Sequence, residues 1–234
     1  MEIEGKVILI TGASEGIGRA TALMLSKTGA KLVLSSRNEA KLNEVAEAVG
    51  GAVVIPADMT EPDQARRIVR ETNIRFGRLD VLINNAGQGM YCPVEAVRLD
   101  DLERLMRLNL YGPLAAMQEA IPIMRAQGGG SIVNVSSVVS KSALPGVGGY
   151  AATKYALNGI TLTARNELQK DGIIVSLVLP GTTDTGFAEH AYSHAAGLGA
   201  AIRRGSSRTS TAEDVAAKVL EAVRSGAAEL FVQA

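Results

Sequence analysis

Apolar positions along the chain keep two rhythms that alternate from one end to the other. Short, mostly unbroken apolar runs fall at Lys6–Thr11, Lys31–Ser35, Ala52–Pro56, Leu79–Asn84, Ser131–Ser136, Ile173–Leu179 and Ala228–Val232. A strand covered on both faces looks like this, because neither side of it meets water, whereas a strand with one wet face alternates. Between the runs, apolar residues recur at three- and four-residue spacing, which gives a helix one buried face. "GRATALMLSKTG" is such a stretch, stopped by Gly29. "STAEDVAAKVLEAVRSG" is another, opened by a capping box from Ser210 to Glu213 and stopped at Gly226. Strand–helix–strand units repeated in this way predict an α/β architecture: a seven-stranded, mostly parallel, doubly wound sheet with helices on both faces and right-handed crossovers. No linker, repeat or low-complexity tract breaks the pattern, so residues 1–234 are expected to form a single domain. Thr182–Thr209 follows neither rhythm and is rich in Gly, Ala and Ser; an irregular stretch of that kind is expected to form a lid over an active site.

Composition narrows the classes of partner. The 234 residues carry 24 basic and 24 acidic side chains, and a chain without net charge lacks the field that draws nucleic acid or an anionic membrane. No apolar run reaches the roughly 18 residues of a membrane span. The first residues, "MEIEGKVILITG", are acidic where a secretory leader is basic. Cys92 is the single cysteine, which excludes an intrachain disulfide and points to a reducing compartment. The expectation is a cytoplasmic protein whose partner is a small molecule, with neither nucleic acid nor membrane.

The first strand runs straight into "TGASEGIG", residues 11–18, and then into a helix. Gly12, Gly16 and Gly18 therefore sit where glycine permits a tight turn and lets a phosphate approach the backbone amides, at a helix N-terminus with unpaired N–H groups. A dinucleotide is the ligand this predicts. The end of the second strand reads "LVLSSRN": Ser36 occupies the place where an acidic residue would bond the ribose 2′-hydroxyl of NAD, and Arg37 follows, suited to the 2′-phosphate of NADP. NADP(H) is the expected cofactor and NAD(H) the alternative, because Glu15 in the glycine loop brings negative charge to the same neighbourhood. Further along, Tyr150 and Lys154 stand four apart in "GGYAATKYALNGI" and so share a helix face. A free tyrosine has a pKa near 10, and an ammonium beside it is expected to lower that value and make the phenol a usable acid. Tyr155, about 100° further round the helix, is expected to be a packing residue.

The spacing G-x-x-x-G-x-G, with "NNAG" at 84–87, Ser137 and the Tyr150/Lys154 pair, resembles the short-chain dehydrogenase/reductase family. The match runs from Gly5 to about Thr185 in the family's order. The resemblance implies a Rossmann-type dinucleotide-binding and catalytic domain. In it, Ser14, Glu15 and Ile17 join the three glycines in the cofactor loop. Asp58 and Met59 of "ADMT" meet the adenine. Asn85, Ala86 and Gly87 lie at the fourth strand's end, and Pro180, Gly181, Thr183 and Thr185 of "PGTTDT" lie beside the nicotinamide. It also implies a catalytic set of Asn109, Ser137, Tyr150 and Lys154. Tyr150 would protonate a carbonyl oxygen as hydride arrives, Ser137 would hold that oxygen, and Lys154 would tune the phenol and bind the nicotinamide ribose. Asn109 would position a water that relays protons to Lys154. Val138, Leu144, Met90 and Phe187 are the pocket walls the resemblance implies, and a homo-oligomer, dimer or tetramer, is its implied assembly. The chain departs from the family's pattern at "AAELFVQA", which lacks the glycine-rich tail, and at Glu15, where NADP-preferring relatives often carry a basic residue.

The functional expectation is an NADP(H)-dependent carbonyl reductase or alcohol dehydrogenase acting on a small molecule. The alternatives are a dinucleotide-binding sensor or scaffold without catalysis, and epimerisation or dehydration on the same scaffold. His190 and His194 stand four apart but lack H-E-x-x-H and a third ligand, so no metal is expected. Arg203, Arg204 and Arg208 are expected to be solvated loop residues.

Overall fold

The computed structural model describes residues 1–188, 190–193 and 209–232. Seven parallel strands form the main sheet: β1 (Val7–Thr11), β2 (Lys31–Ser35), β3 (Val53–Val54), β4 (Val81–Asn84), β5 (Gly130–Val135), β6 (Ile173–Pro180) and β7 (Glu229–Val232). Their spatial order is β7-β6-β5-β4-β1-β2-β3. The helices are α1 (Gly16–Ser26), α2 (Glu39–Ala48), α3 (Pro62–Phe76), α4 (Leu99–Met106), α5 (Gly112–Ala126), α6 (Gly148–Leu168) and α7 (Ala212–Ser225), with a π-helical turn at Arg107–Tyr111 between α4 and α5.

The unbroken apolar runs have the cause the sequence predicts. Alternate residues of β1 feed separate cores: Ile8 and Ile10 pack with α1, α2 and α7, while Val7 and Leu9 pack with α3, α5 and α6. Chain order reverses between β1 and β4, and a crevice opens there at the carboxyl ends of the parallel strands.

Three local expectations are corrected. The third strand is only Val53–Val54, because β3 is the sheet's edge and pairs with β2 through those two residues alone. The last helix is capped one residue later than expected: Thr211 Oγ1 accepts from Asp214 N (3.1 Å), and the Asp214 carboxylate accepts from Thr211 N (2.8 Å). Ser210 is instead held in parallel pairing with Thr183, which leaves Thr211 to start the helix. Tyr155 is half exposed, at 50%, not packed within the chain.

α6 is fixed to the sheet by polar links as well as by apolar packing. Asn84 Nδ2 donates to Asn134 Oδ1 (2.8 Å), and Asn134 Nδ2 donates to Thr161 Oγ1 (2.8 Å), a buried chain from β4 through β5 to α6. Arg165 near the end of α6 donates to the carbonyls of Val175 and Gly226, both at 2.7 Å, tying α6 to β6 and to the C-terminus of α7.

Candidate active site

A cavity of about 880 Å³ lies in the crevice. The glycine loop forms one wall. Gly12 and Gly16 have φ of 65° and 53°, a left-handed conformation that a side chain disfavours. A Cβ on Gly12 would stand 2.8 Å from Ala86 Cα, and one on Gly18 would collide with the Gly12 carbonyl oxygen. The loop thus lies flat against the end of β4. Thr11 Oγ1 accepts from Asn85 N (3.0 Å) and Ala86 N (3.1 Å), while Asn85 Nδ2 donates to the carbonyls of Thr11 (3.0 Å) and Gly12 (3.1 Å). Asn85 is the bracket that holds the loop in shape. Glu15 precedes α1 without capping it by a side-chain bond, so the helix presents amides and a positive end to the cavity.

Nearly every residue expected to touch the cofactor borders this one space. Gly12, Ser14, Glu15, Gly16 and Ile17 line it, as do Ser36, Arg37, Asp58, Met59, Asn85, Ala86 and Gly87. Pro180, Gly181, Thr183 and Thr185 do so from the far side. Gly18 lies outside the wall, and its part is the close approach of α1 to the loop. Asp58 is locked by its own turn, its Oδ1 accepting from Thr60 N (2.9 Å) and Thr60 Oγ1 (2.8 Å). The cradle fits a nicotinamide dinucleotide: a phosphate-sized approach over bare glycine backbone, helix N-terminal amides, and a buried Ser36 hydroxyl that has no hydrogen-bond partner among the described residues.

The residues expected to be catalytic stand at the other end. Ser137, Tyr150 and Lys154 line the same cavity. Lys154 is 4% exposed, and its Nζ donates to the Val135 carbonyl (3.0 Å) and stands 5.8 Å from the Tyr150 ring centroid. Burial lowers its pKa to about 8. Burial also pushes the Tyr150 phenol upward, against a lowering contribution from Ser137 beside it and with a further rise from Tyr91. The expectation of a lowered phenol pKa is therefore corrected for this site. Desolvation dominates both groups, and the ammonium is anchored on a main-chain carbonyl.

Asn109 is fully buried behind the wall. Its Nδ2 donates to Gln88 O (2.9 Å) and Thr153 Oγ1 (3.0 Å), and its Oδ1 accepts from Gln88 N (3.0 Å). Both amide donors are used. One Oδ1 lone pair remains beside Gly87, where an added Cβ would meet Asn109 Oδ1 at 3.2 Å and Lys154 Nζ at 3.5 Å.

Above the phenol, Phe187 packs on the Tyr150 ring, with centroids 5.8 Å apart and planes tilted by 56°. Val138, Leu144 and Phe187 line the cavity as expected. Met90 does not: it is buried beneath Gly149, and Tyr91 takes its place in the wall. Met90–Tyr91 pairs with Tyr192–Ser193 as a two-residue strand, and successive strand residues point to opposite faces. The same pairing docks the start of the expected lid, along with the bond from Gln88 Nε2 to the His190 carbonyl. His190 also places Nε2 3.4 Å from Glu15 Oε1. His194, Arg203, Arg204 and Arg208 fall outside the described residues. Lys41, Gln88 and Tyr91 border the site without having been singled out from the sequence. For Lys41 there was a signal: Asn38 as an N-cap puts it in the first turn of α2, next to Arg37.

Comparison with known proteins agrees with this geometry. The family described as short chain dehydrogenase matches residues 6–196. An uncharacterised oxidoreductase of Thermotoga maritima is 39% identical over 189 residues, 79% of this chain and 74% of its own. Another from Methylorubrum extorquens is 40% identical over 185 residues, 77% of this chain and 74% of its own. Among solved structures, a short-chain dehydrogenase/reductase from Burkholderia phymatum in complex with NAD superimposes with a TM-score of 0.89 at 28% identity, covering 100% of this chain and 90% of that one. A short-chain type dehydrogenase/reductase from Mycobacterium marinum gives 0.90 at 26%, covering 99% and 95%.

Proposed function

Since the chain belongs to the short-chain dehydrogenase family, and is on that ground an oxidoreductase, we propose that it reduces a carbonyl of a small, largely apolar molecule, or oxidises the corresponding alcohol, with NADP(H). One observation carries this reading. Ser137, Tyr150 and Lys154 share a single cavity with a glycine cradle, so a carbonyl and a dinucleotide fit side by side. The dinucleotide, when bound, supplies or accepts the hydride. Gly12, Gly16, Ile17 and the first amides of α1 would hold its phosphates. Asn85, Ala86 and Gly87 would border its first ribose, and Pro180, Gly181, Thr183 and Thr185 its nicotinamide.

The protein's own residues do the rest. Ser137 is loosely held, donating to Pro180 O at 3.4 Å and accepting from Val139 N at 3.3 Å, so its hydroxyl is free to turn toward a substrate oxygen. Tyr150 keeps its proton at neutral pH, as its raised pKa dictates, and gives it to that oxygen as negative charge develops there. Lys154, protonated below about pH 8, stabilises the resulting phenolate. Asn109 is a positioning residue that fixes Gln88 and α6, with one lone pair left for a water beside Lys154. Val138, Leu144, Val147, Tyr91 and Phe187 would exclude bulk water from the reacting centre.

The test is Tyr150→Phe. The variant is expected to bind NADPH with unchanged affinity by calorimetry and to lose at least a hundredfold in kcat on a panel of ketones. Near-wild-type turnover would overturn the assignment. Wild-type binding without turnover on any ketone or alcohol would favour a sensor.

NAD(H) is the second reading for the cofactor, and the NAD complex of the Burkholderia relative favours it. We also propose a homo-oligomer, paired through the face where Tyr111 and Tyr155 stand 38% and 50% exposed.

A further inference from the structure

Glu15 is the anomaly of the cradle. A carboxylate beside an anion site opposes the ligand as far as its charge goes unscreened. Here both of its oxygens are engaged: Oε2 accepts from Lys41 Nζ at 2.8 Å, and Oε1 faces His190 Nε2 at 3.4 Å. Lys41 reaches it from a separate element. Asn38 caps α2 by accepting from Lys41 N (3.0 Å), which sets Lys41 in the first helical turn with its side chain turned back to the cavity rim.

Arg37, Ser36 and Lys41 border the cavity at that rim. Arg37 makes no hydrogen bond or ion pair among the described residues and meets Glu15 only through its field. The Ser36 hydroxyl is shielded from solvent and unpartnered. The Lys41 ammonium, with its side chain 48% exposed, rests on one carboxylate oxygen. Glu39 also borders this end, in the first turn of α2, where its charge suits the helix dipole.

We propose that Lys41 is a specificity-determining residue for the dinucleotide. With Arg37 and Ser36 it forms the receptor for a phosphate monoester on the adenosine ribose, and Glu15 parks the ammonium until that phosphate takes it over. This rests on the NADP(H) reading. A phosphate monoester offers more charge and more acceptor oxygens than Glu15 does. A plain ribose hydroxyl offers neither, so with NADH the lysine stays on Glu15 and contributes only its screening of that carboxylate.

Calorimetry with two ligand pairs tests the assignment without turnover: NADPH against NADH, and adenosine 2′,5′-bisphosphate against adenosine 5′-monophosphate. Wild type is expected to favour the phosphorylated member of each pair. Lys41→Ala is expected to weaken NADPH and the bisphosphate about tenfold or more, equivalent to about 1.4 kcal/mol, beyond the smaller loss that an unscreened Glu15 causes for NADH and the monophosphate. Lys41→Arg is expected to keep the preference. In a Glu15→Gln background Lys41 has no carboxylate to leave, so Lys41→Ala is expected to cost more there than in wild type. If Lys41 only neutralised Glu15, its effect would vanish in that background. That result, or a preference untouched by Lys41→Ala, overturns the inference and leaves the cofactor reading standing. A wild type without preference for the phosphorylated ligands removes both.

Discussion

Burial of a lysine and a tyrosine side by side makes the protein's stability depend on pH in a definite direction. The Lys154 pKa falls from 10.5 to about 8 on folding. Between those values the unfolded chain binds the proton and the native one does not, so stability rises with pH across that window. Tyr150 works the other way. Its raised pKa means the native state keeps a proton that the unfolded chain begins to lose near pH 10, so stability falls above that point. The unliganded protein is therefore expected to gain on the order of 1–2 kcal/mol from this lysine between pH 7.5 and 9.5. Urea midpoints of wild type and Lys154→Met measured across that range check it, since only wild type should show the gain. The pair itself was legible in the sequence, because four residues are one helical turn. The direction of the tyrosine shift was not, because it depends on how much protein closes over the ring.

At the scale of elements, the serine is tied to the helix that carries the phenol. Ser136 Oγ donates to Asn158 Oδ1 (2.6 Å), Asn158 Nδ2 donates to Ser140 Oγ (2.7 Å), and Ser140 Oγ donates to the Ser137 carbonyl. The chain links the end of β5 and the short helical turn Val138–Lys141 to α6. Asn158→Ala leaves two buried hydroxyls short of a partner and is expected to cost about 1–3 kcal/mol. Because the same change loosens Ser137 against Tyr150, kcat should fall several-fold while the dinucleotide Kd holds. A fall in Kd affinity with kcat unchanged would contradict this coupling. The helices and most of the sheet were readable from periodicity alone. The errors sit where pairing decides: Val53–Val54 at the sheet edge, Ser210 drawn into a strand pair so that Thr211 caps α7, and Met90 turned inward so that Tyr91 reaches the cavity. For Lys41 the Asn38 cap was the one signal, and its contact with Glu15 was not legible, since that exists only once α2 folds back toward the glycine loop.

For the whole molecule, the exposed tyrosines matter most. Tyr155 was expected to pack, and within one chain it does not. If copies pair through this face, Tyr155→Glu should shift sedimentation from oligomer to monomer with the far-UV spectrum unchanged; an unaltered distribution would refute the pairing. A different property of the fold follows from the strand pair Thr183–Asp184 with Ser210–Thr211. The chain leaves the top of β6 and comes back to the same spot before entering α7, so the excursion between is a detour pinned at both feet. Doubling the length of such a detour costs only about 0.6 kcal/mol in closure entropy. A longer or shorter span between those feet is therefore expected to leave the sheet in place, whereas a change at Phe187, on the Tyr150 ring, or at Tyr192–Ser193, paired with Met90–Tyr91, would reach the cavity.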